Sequence, residues 1–329
     1  MSTIHFLNVN NGDCSIIQHN SGNVTVIDVC NATKLSPITE DSLGLESVQK
    51  SFSVRGNFNQ KANPENPISY LKKIVKTDSI FRYIQTHPDM DHMDGLKALF
   101  ESFDIINFWD TENAKVIPPD SDMRPYNRED WDCYQEKRQY KSNPKVLHLY
   151  SGAKGQYYNQ KDDGQGEGDG LYILSPTKEL VKQANESEKY NELSYALLYK
   201  TGKHKIIFAG DTEEKAWNEI LKNHKSEVFN IDLLIAPHHG RKSGGNDKYL
   251  DVLKPKLTLF GNADSGHLDY ASWNNRNLEH FTNNQAGNFV IDFSSGNMNV
   301  FCSNETFAKE YNSSTVYNES LKAYLLKSY

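Results

Sequence analysis

Residues 86–95 combine side chains that bind divalent metal ions. Within eight positions of a chain with 11 histidines, this stretch holds two imidazoles and three carboxylates: His87, Asp89, Asp91, His92 and Asp94. His87 and Asp89 can reach one side of a turn, whereas Asp91 and His92 point to another, so the spacing suits two neighbouring ions better than one. Imidazole and carboxylate ligands are typical of Zn, Mn or Fe, and the high carboxylate share favours Mn. The alternative is a polar turn in which Asp91 or Asp94 caps a helix, but capping needs one such residue.

The flanking sequence predicts how this stretch is held. Residues 80–85 are mostly apolar or β-branched and predict a buried strand, and residues 95–100 predict the start of a helix. The candidate ligands therefore lie on a strand-to-helix turn. Open α/β sheets place their binding sites at this carboxyl end of a strand.

The pattern His87-x-Asp89-x-Asp91-His92 resembles the His-x-His-x-Asp-His signature of the metallo-β-lactamase fold hydrolases. Asp89 stands where most members carry histidine, which is a feature of one branch, the soluble hydrolase domain of bacterial competence proteins of the DNA-uptake channel type and its free-standing relatives. The resemblance implies an α/β fold, a four-layer αββα sandwich of two mixed β-sheets. It also implies a hydrolase with two divalent ions, Zn or Mn. The branch implies a phosphodiester substrate, either nucleic acid or nucleotide, and therefore a phosphodiesterase or nuclease.

The first 29 residues predict three short strands joined by two turns, which is the usual opening of that fold. The first turn often reads Asp-Val-Gly-Gln-Gly-Asp in the branch, and this chain keeps Val9, Gly12 and Asp13 of it. Asp13 and Asp28 either support the metal ligands by hydrogen bonding or simply hold their turns.

A predicted hairpin ends in Gly210-Asp211-Thr212, which resembles the family's bridging-aspartate motif. A carboxylate between two divalent ions lowers their mutual repulsion. Without the resemblance, Asp211 is equally well explained as a helix N-cap. Asn191 falls where the family usually has a third histidine, and an amide oxygen is a weaker ligand than imidazole. We therefore expect one metal position to be weakly occupied or completed by water or substrate.

The buried strand predicted at residues 231–236 is followed by His238 and His239. Neighbouring side chains of a strand point to opposite faces, so we expect one histidine to be a ligand and the other to contact substrate or a supporting carboxylate. The resemblance favours His238 as the ligand. It divides the ligands into one group of Asp91, His92, Asp211 and His238, and another of His87, Asp89 and Asp211, with Asn191 as an open fourth member.

Three later residues are candidates for contact with substrate. Arg241 and Lys242 lie in a Gly-rich loop and are placed to receive an anionic group, unless the loop is merely solvated. His267 belongs to a Gly-His pair of the kind that recurs in the branch, which suggests leaving-group protonation or phosphate contact, with a surface histidine as the alternative. Asp91 and His267 are the predicted catalytic residues.

Composition limits the classes of protein. The net charge of −7 argues against nonspecific coating of nucleic acid, although a metal site can supply local positive charge. The sequence has no long apolar run and no basic-then-apolar start, so we expect no membrane span and no signal peptide. Its four cysteines form no C-x-x-C pair and fit a reducing, cytoplasmic location.

We expect a hydrolase domain at residues 1–305, with insertions at about 31–66 and 110–170, followed by a tail at 306–329. Residues 319–326 of the tail predict a helix, which would pack on the domain, on a protein partner or on a second copy. Two other functions remain open. One is hydrolysis of carbon esters, thioesters or lactams, because fold does not fix substrate. The other is a binding or scaffold role with a site weakened at Asn191.

Overall fold

Two mixed β-sheets form the centre of the protein. The computed structural model describes residues 2–33, 58–161, 163–242, 246–263 and 265–329. Within these ranges the first sheet has ten strands in the order β15-β16-β14-β13-β1-β2-β3-β4-β5-β6, and the second has six in the order β12-β11-β10-β9-β8-β7. Strands β3 to β6 run parallel, as do β9 to β12.

The strands of the first sheet are β1 (Thr3–Phe6), β2 (Ser15–Gln18), β3 (Val24–Ile27), β4 (Ser79–Ile84), β5 (Asp104–Trp109), β6 (Lys145–Leu147), β13 (Phe289–Asp292), β14 (Asn299–Cys302), β15 (Tyr317–Asn318) and β16 (Ala323–Ser328). Those of the second are β7 (Leu171–Ser175), β8 (Ala196–Thr201), β9 (His204–Phe208), β10 (Leu233–Ile235), β11 (Leu257–Phe260) and β12 (His280–Thr282). The α-helices are α1 (Pro67–Tyr70), which continues into a π-helical turn (Leu71–Val75), α2 (Leu96–Ser102), α3 (Arg128–Lys137), α4 (Lys178–Ser187), α5 (Glu214–Asn223), α6 (Tyr249–Leu253), α7 (Tyr270–Asn274), α8 (Asn283–Ala286) and α9 (Glu305–Tyr311). Short 3-10 helices are formed by Gln60–Ala62, Met90–His92, Tyr190–Leu193, Pro237–Gly240 and Ser265–His267.

Apolar side chains divide between an inner and two outer cores. On β9, Ile206 and Phe208 face the other sheet, whereas Ile207 packs against the helices outside. Strands with both faces covered read as continuous apolar runs, as this one does. Helices α1, α2 and α3 cover the first sheet, and α5, α6 and α7 cover the second. The predicted four-layer αββα sandwich is confirmed.

The C-terminal tail differs from the sequence-based expectation. The helix predicted at residues 319–326 is wrong, because β16 pairs antiparallel with β14 and extends the ten-stranded sheet. A short apolar run does not distinguish helix from strand, and here the free edge of β14 decides. The boundary expected between the hydrolase domain and its tail, at residue 305, coincides with the first residue of α9. Of the first predicted insertion, residues 34–57 lie outside the described residues.

No helix in the described part of the chain is both long and apolar enough to cross a bilayer.

A buried histidine of the first sheet predicts a pH dependence of stability. Burial lowers the pKa of His5 to about 4, against a hydrogen bond to Gln18 that raises it. Between pH 6.5 and 4 the unfolded chain therefore binds a proton at His5 that the folded protein does not, so stability falls as the pH falls. We expect His5 to account for a loss of about 2 kcal/mol between pH 7.5 and pH 5.

Urea unfolding of the wild type and His5→Gln at both pH values measures this effect. His5→Gln should lose less unfolding free energy between the two pH values than the wild type. His280→Gln, at a partly exposed position, should lose as much as the wild type. Equal losses in all three proteins would refute the assignment to His5.

Candidate metal centre

Loops from both sheets meet where the parallel strands end. His87 lies in the loop that follows β4, and the 3-10 helix Met90–His92 begins three residues after His87. Asp211 follows β9, and the 3-10 helix Pro237–Gly240 follows β10. Hydrogen bonds join these loops, since His238 N donates to Gly210 O over 3.0 Å and Tyr195 N donates to Thr86 O over 3.0 Å. The topology therefore brings residues more than 120 positions apart into one site.

The carboxylate of Asp211 lies at the centre of a group of imidazoles. Its Oδ1 is 3.2 Å from His92 Nε2 and 3.9 Å from His239 Nε2. Its Oδ2 is 3.6 Å from His238 Nε2 and 3.8 Å from His87 Nε2. Among the described residues, three overlapping groups each have ligand atoms within 4.8 Å of one another: His87–His92–Asp211, Asp91–His92–His239 and Asp13–Asp211–His239.

Several of these donor atoms are buried without a hydrogen-bond partner. They are Nε2 of His87 and His92, both ring nitrogens of His239, and Oδ1 of Asp13 and Asp211. An unsatisfied buried polar group costs about 1–3 kcal/mol, and a native protein keeps few of them unless they have a task. Imidazole nitrogens and carboxylate oxygens facing one another at these distances are the donors that first-row divalent ions bind. The residues present therefore fit a metal centre.

Opposite charges keep this group ionised. Burial would raise the pKa of Asp211, but His92, His239 and His87 hold it well below its ordinary value. Burial would likewise lower the pKa of His92, yet the nearby carboxylates of Asp211 and Asp28 raise it. Asp211 is therefore an anion at neutral pH, as a metal-bridging carboxylate must be.

Asp28 orients His92 from behind. Its Oδ2 accepts hydrogen bonds from His92 Nδ1 over 2.7 Å and from the Thr86 hydroxyl over 2.6 Å, and its Oδ1 accepts from Thr86 N over 2.7 Å. Because the Thr86 hydrogen is used in this way, the Thr86 oxygen accepts from His87 Nδ1, 3.0 Å away. Both histidines therefore turn Nε2 toward Asp211. The sequence alone did not single out Thr86, since a threonine at a strand end carries no specific signal.

Asp13 occupies the corresponding place behind His239, with Oδ1 3.0 Å from His239 Nδ1. Two glycines make room for this arrangement. A Cβ at Gly12 would lie 2.1 Å from the carbonyl oxygen of Asp91, and one at Gly261 would lie 2.7 Å from Asp13 Oδ1. Any side chain at either position would displace the loop that carries Asp13 or the one that carries Asp91. Sequence reasoning missed Gly261, because only the folded structure brings it against Asp13.

The two adjacent histidines differ from the prediction. We expected opposite directions, but both Nε2 atoms lie within 4 Å of Asp211. They follow the end of β10 at Ile235 and adopt left-handed φ angles of 50° and 57°, so strand alternation does not apply to them. His239 is fully buried, with Nε2 3.5 Å from Asp91 Oδ2, and His238 is partly exposed. His239, not His238, therefore joins Asp91 and His92.

Asp89 and Asn191, the two residues that stand where the metallo-β-lactamase fold hydrolases usually have histidine, line a cavity of about 640 Å³. Asp89 Oδ1 pairs with Lys115 Nζ at 2.5 Å, while its Oδ2 lies 3.7 Å from His87 Nε2. The Asn191 side chain donates to Glu213 over 3.2 Å. Neither Asp89 nor Asn191 is a member of the three ligand groups.

The candidate substrate contacts lie along one loop pair. Lys242 N donates to the carbonyl oxygen of His267 over 2.9 Å, and the backbone of Arg241 forms an isolated antiparallel β-bridge with that of Leu268. Arg241 is partly buried, whereas Lys242 and His267 are exposed. Burial and the positive charge of Arg241 are among the causes that lower the pKa of His238, against the charge of Asp211 that raises it. Residues 243–245 and 264 lie outside the described residues.

No known family model matches the sequence, and no curated protein matches it. Solved structures show a weak likeness. A metallo hydrolase from the hyperthermophilic archaeon Ignicoccus hospitalis has a TM-score of 0.47 and 11% identity over 89% of this chain and 100% of that one. A metal-dependent hydrolase of the β-lactamase superfamily has a TM-score of 0.39 and 10% identity over 86% and 96%.

A diiron β-hydroxylase from Streptomyces venezuelae also matches, with a TM-score of 0.43 and 10% identity over 84% of this chain and 52% of that one. The chain thus spans about half the length of that enzyme. Similarity this weak does not indicate a function, because proteins of one fold carry out many different reactions.

Proposed function

We propose that this protein is a metal-dependent hydrolase with two divalent ions, and that it cleaves phosphodiester bonds in nucleotides or nucleic acid. The observation that carries the proposal is the set of buried imidazole nitrogens that face the Asp211 carboxylate without a hydrogen-bond partner. A purely structural polar cluster would pair these atoms with one another, because leaving them unsatisfied is unfavourable.

The ligands divide into two positions that share Asp211. One position has Asp91, His92 and His239, and the other has His87, Asp89 and His238. In this partition His238 supplies an imidazole on the side where Asn191 offers none. This partition differs from the sequence-based one in two respects, since His239 takes the place of His238 beside Asp91 and His238 takes the place left open for Asn191.

Two divalent ions bound here would lower the pKa of a water molecule and offset charge on phosphoryl oxygens. The residues of the chain hold this arrangement. Asp28 fixes the ring orientation of His92 by a hydrogen bond, and the Asp13 carboxylate lies 3.0 Å behind His239 as an ion pair. Burial would raise the pKa of Asp91, but His239 and His92 lower it, so Asp91 is ionised and can accept a hydrogen bond from the attacking water.

The substrate class is supported by charge near the site. Arg241 lies close enough to His238 to affect its pKa, and Lys242 and His267 follow on the same loop pair. Cations beside a metal centre suit an anionic phosphodiester better than a neutral ester or lactam. We propose that Arg241 and Lys242 contact the phosphate and that His267 protonates the leaving group.

The test compares substrates on protein loaded with Mn²⁺ or Zn²⁺. We expect turnover of bis-p-nitrophenyl phosphate at least about tenfold faster than that of nitrocefin or a thioester, and loss of turnover with a chelator. Preferential turnover of nitrocefin or the thioester would replace the phosphodiester assignment with the rival hydrolase class. No turnover of any substrate by protein that does hold metal would contradict the hydrolase itself.

The pairing of Asn191 with Glu213 and of Asp89 with Lys115 favours one second candidate, a binding or scaffold protein with a weakened site. Metal analysis separates the two functions. Fewer than about one ion per chain after supplementation with Mn²⁺ or Zn²⁺ would support the scaffold.

A further inference from the structure

Residues 112–116 form a short strap on the His87 side of the site, where Ala114, Lys115 and Val116 line the same cavity as Asp89. Asn185 of α4 clamps it with two hydrogen bonds, because its side-chain nitrogen donates to Glu112 O over 2.9 Å and its side-chain oxygen accepts from Ala114 N over 2.8 Å. The clamp fixes the backbone on both sides of residue 113. Lys115, which directly follows Ala114 in the strap, therefore has little backbone freedom.

Lys115 is held at its other end as well. Its Nζ lies 2.5 Å from Asp89 Oδ1 and 5.5 Å from the centre of the Tyr190 ring. The side chain is only 23% exposed. A carboxylate, an aromatic face and a clamped backbone thus hold one ammonium group beside the His87 side of the centre.

The two ion positions consequently differ in their surroundings. On the His239 side, the carboxylates of Asp13 and Asp28 lie behind the ligands His239 and His92, which makes the imidazoles better donors. On the His87 side, one oxygen of Asp89 is already paired with a cation. Lys115 both weakens Asp89 as a donor and repels a divalent ion.

We propose that Lys115 makes the two ion positions unequal, so that an ion binds tightly with Asp91, His92 and His239 and a second binds weakly with His87 and Asp89. This inference rests on the metal centre of the proposed function. A dinuclear centre of this kind gains its second ion only when the metal concentration is high. Its occupancy is therefore set by a lysine on the strap rather than by the ligands alone.

The experiment is calorimetric titration of metal-free protein with Mn²⁺, compared for the wild type, Lys115→Met and Lys115→Arg. Methionine keeps most of the length of the side chain but removes the charge, whereas arginine keeps the charge. We expect the affinity for the second ion to rise at least about tenfold in Lys115→Met, since a unit charge within a few ångströms of a divalent ion has an effect of at least this size. The affinity for the first ion and the isotherm of Lys115→Arg should match those of the wild type.

Lys189→Met is the matched control, because Lys189 lines the same cavity and is exposed. Its isotherm should equal that of the wild type. Tyr190→Leu removes the ring under Lys115 and should give a smaller rise in second-ion affinity than Lys115→Met, so the result does not depend on the folding of one variant.

Two results overturn the inference in distinguishable ways. Equal affinities for the second ion in the wild type and Lys115→Met would refute the role of Lys115 and leave the metal centre intact. An absence of Mn²⁺ and Zn²⁺ binding in every folded variant would refute the metal centre, and the proposed function with it.

Discussion

Replacing Asp211 with asparagine should lower hydrolysis by a factor on the order of 10³ and reduce bound metal below about one ion per chain. The Asp211 carboxylate faces four imidazoles, and both of its oxygens lie within 3.9 Å of them. A neutral amide cannot balance the charge of two ions, and losing their several kcal/mol of transition-state stabilisation corresponds to about three powers of ten in rate. Metal analysis and turnover of bis-p-nitrophenyl phosphate measure the two effects.

Asp232→Asn is the matched control for this substitution. Asp232 is also a buried carboxylate of the second sheet, but it precedes β10, at the end opposite to the metal centre, where it pairs with Lys256 at 2.7 Å. We expect its loss to lower the free energy of unfolding without changing metal content. If Asp211→Asn kept its metal while folded, Asp211 would not bridge two ions and the dinuclear centre would be wrong.

Asp28→Asn should lower metal affinity about 10- to 100-fold, as is usual when the partner that orients a ligand is changed. Asp28 has a left-handed φ of 55°, which asparagine adopts with little strain and alanine does not. The asparagine variant therefore isolates the loss of charge behind His92 from any effect on the backbone. Competition with a chromophoric chelator measures the affinity for Zn²⁺.

Asp94→Asn controls for a general effect on this turn. Asp94 Oδ2 accepts from Asn31 N over 3.0 Å, close to Asp28 in sequence, but Asp94 does not belong to the ligand groups. Its variant should bind metal as the wild type does. An Asp28→Asn affinity within about threefold of the wild type would mean that Asp28 only holds its turn, the alternative that the sequence left open.

The positions of strand ends were predictable, and with them much of the candidate site. The apolar runs before His87, Asp211 and His238 predict strands, and strands β4, β9 and β10 do end just before these residues. Parallel strands of one sheet bring their carboxyl ends to one edge, so the pattern accounts for the proximity of the Asp211 and His238 loops, which follow neighbouring strands of the second sheet. The His87 loop follows a strand of the first sheet and joins them only through the packing of the two sheets. The pattern does not say which side chain of a loop turns inward.

Local backbone geometry decided that question at the adjacent histidines. Their left-handed φ angles set the directions of both rings, so the opposite directions expected from strand alternation do not occur. His239, and not the His238 that the resemblance favoured, lies beside Asp91. The same limit applies to the tail, where the open edge of β14 converts a run compatible with helix into strand β16. In both cases the deciding contact is with a segment distant in sequence.

By itself, the sequence determined the strands that end at the site and the set of residues from which the candidate metal-binding group is drawn, because apolar runs and dense His and Asp spacing are local properties. The four-layer architecture was implied by the resemblance of its motifs to the metallo-β-lactamase fold hydrolases. Only the tertiary structure decided that His239 faces Asp91, that Asn191 turns to Glu213, and that Lys115 lies against Asp89. Those choices depend on contacts between loops far apart along the chain, where packing and charge pairing select one side-chain direction among several that the sequence allows.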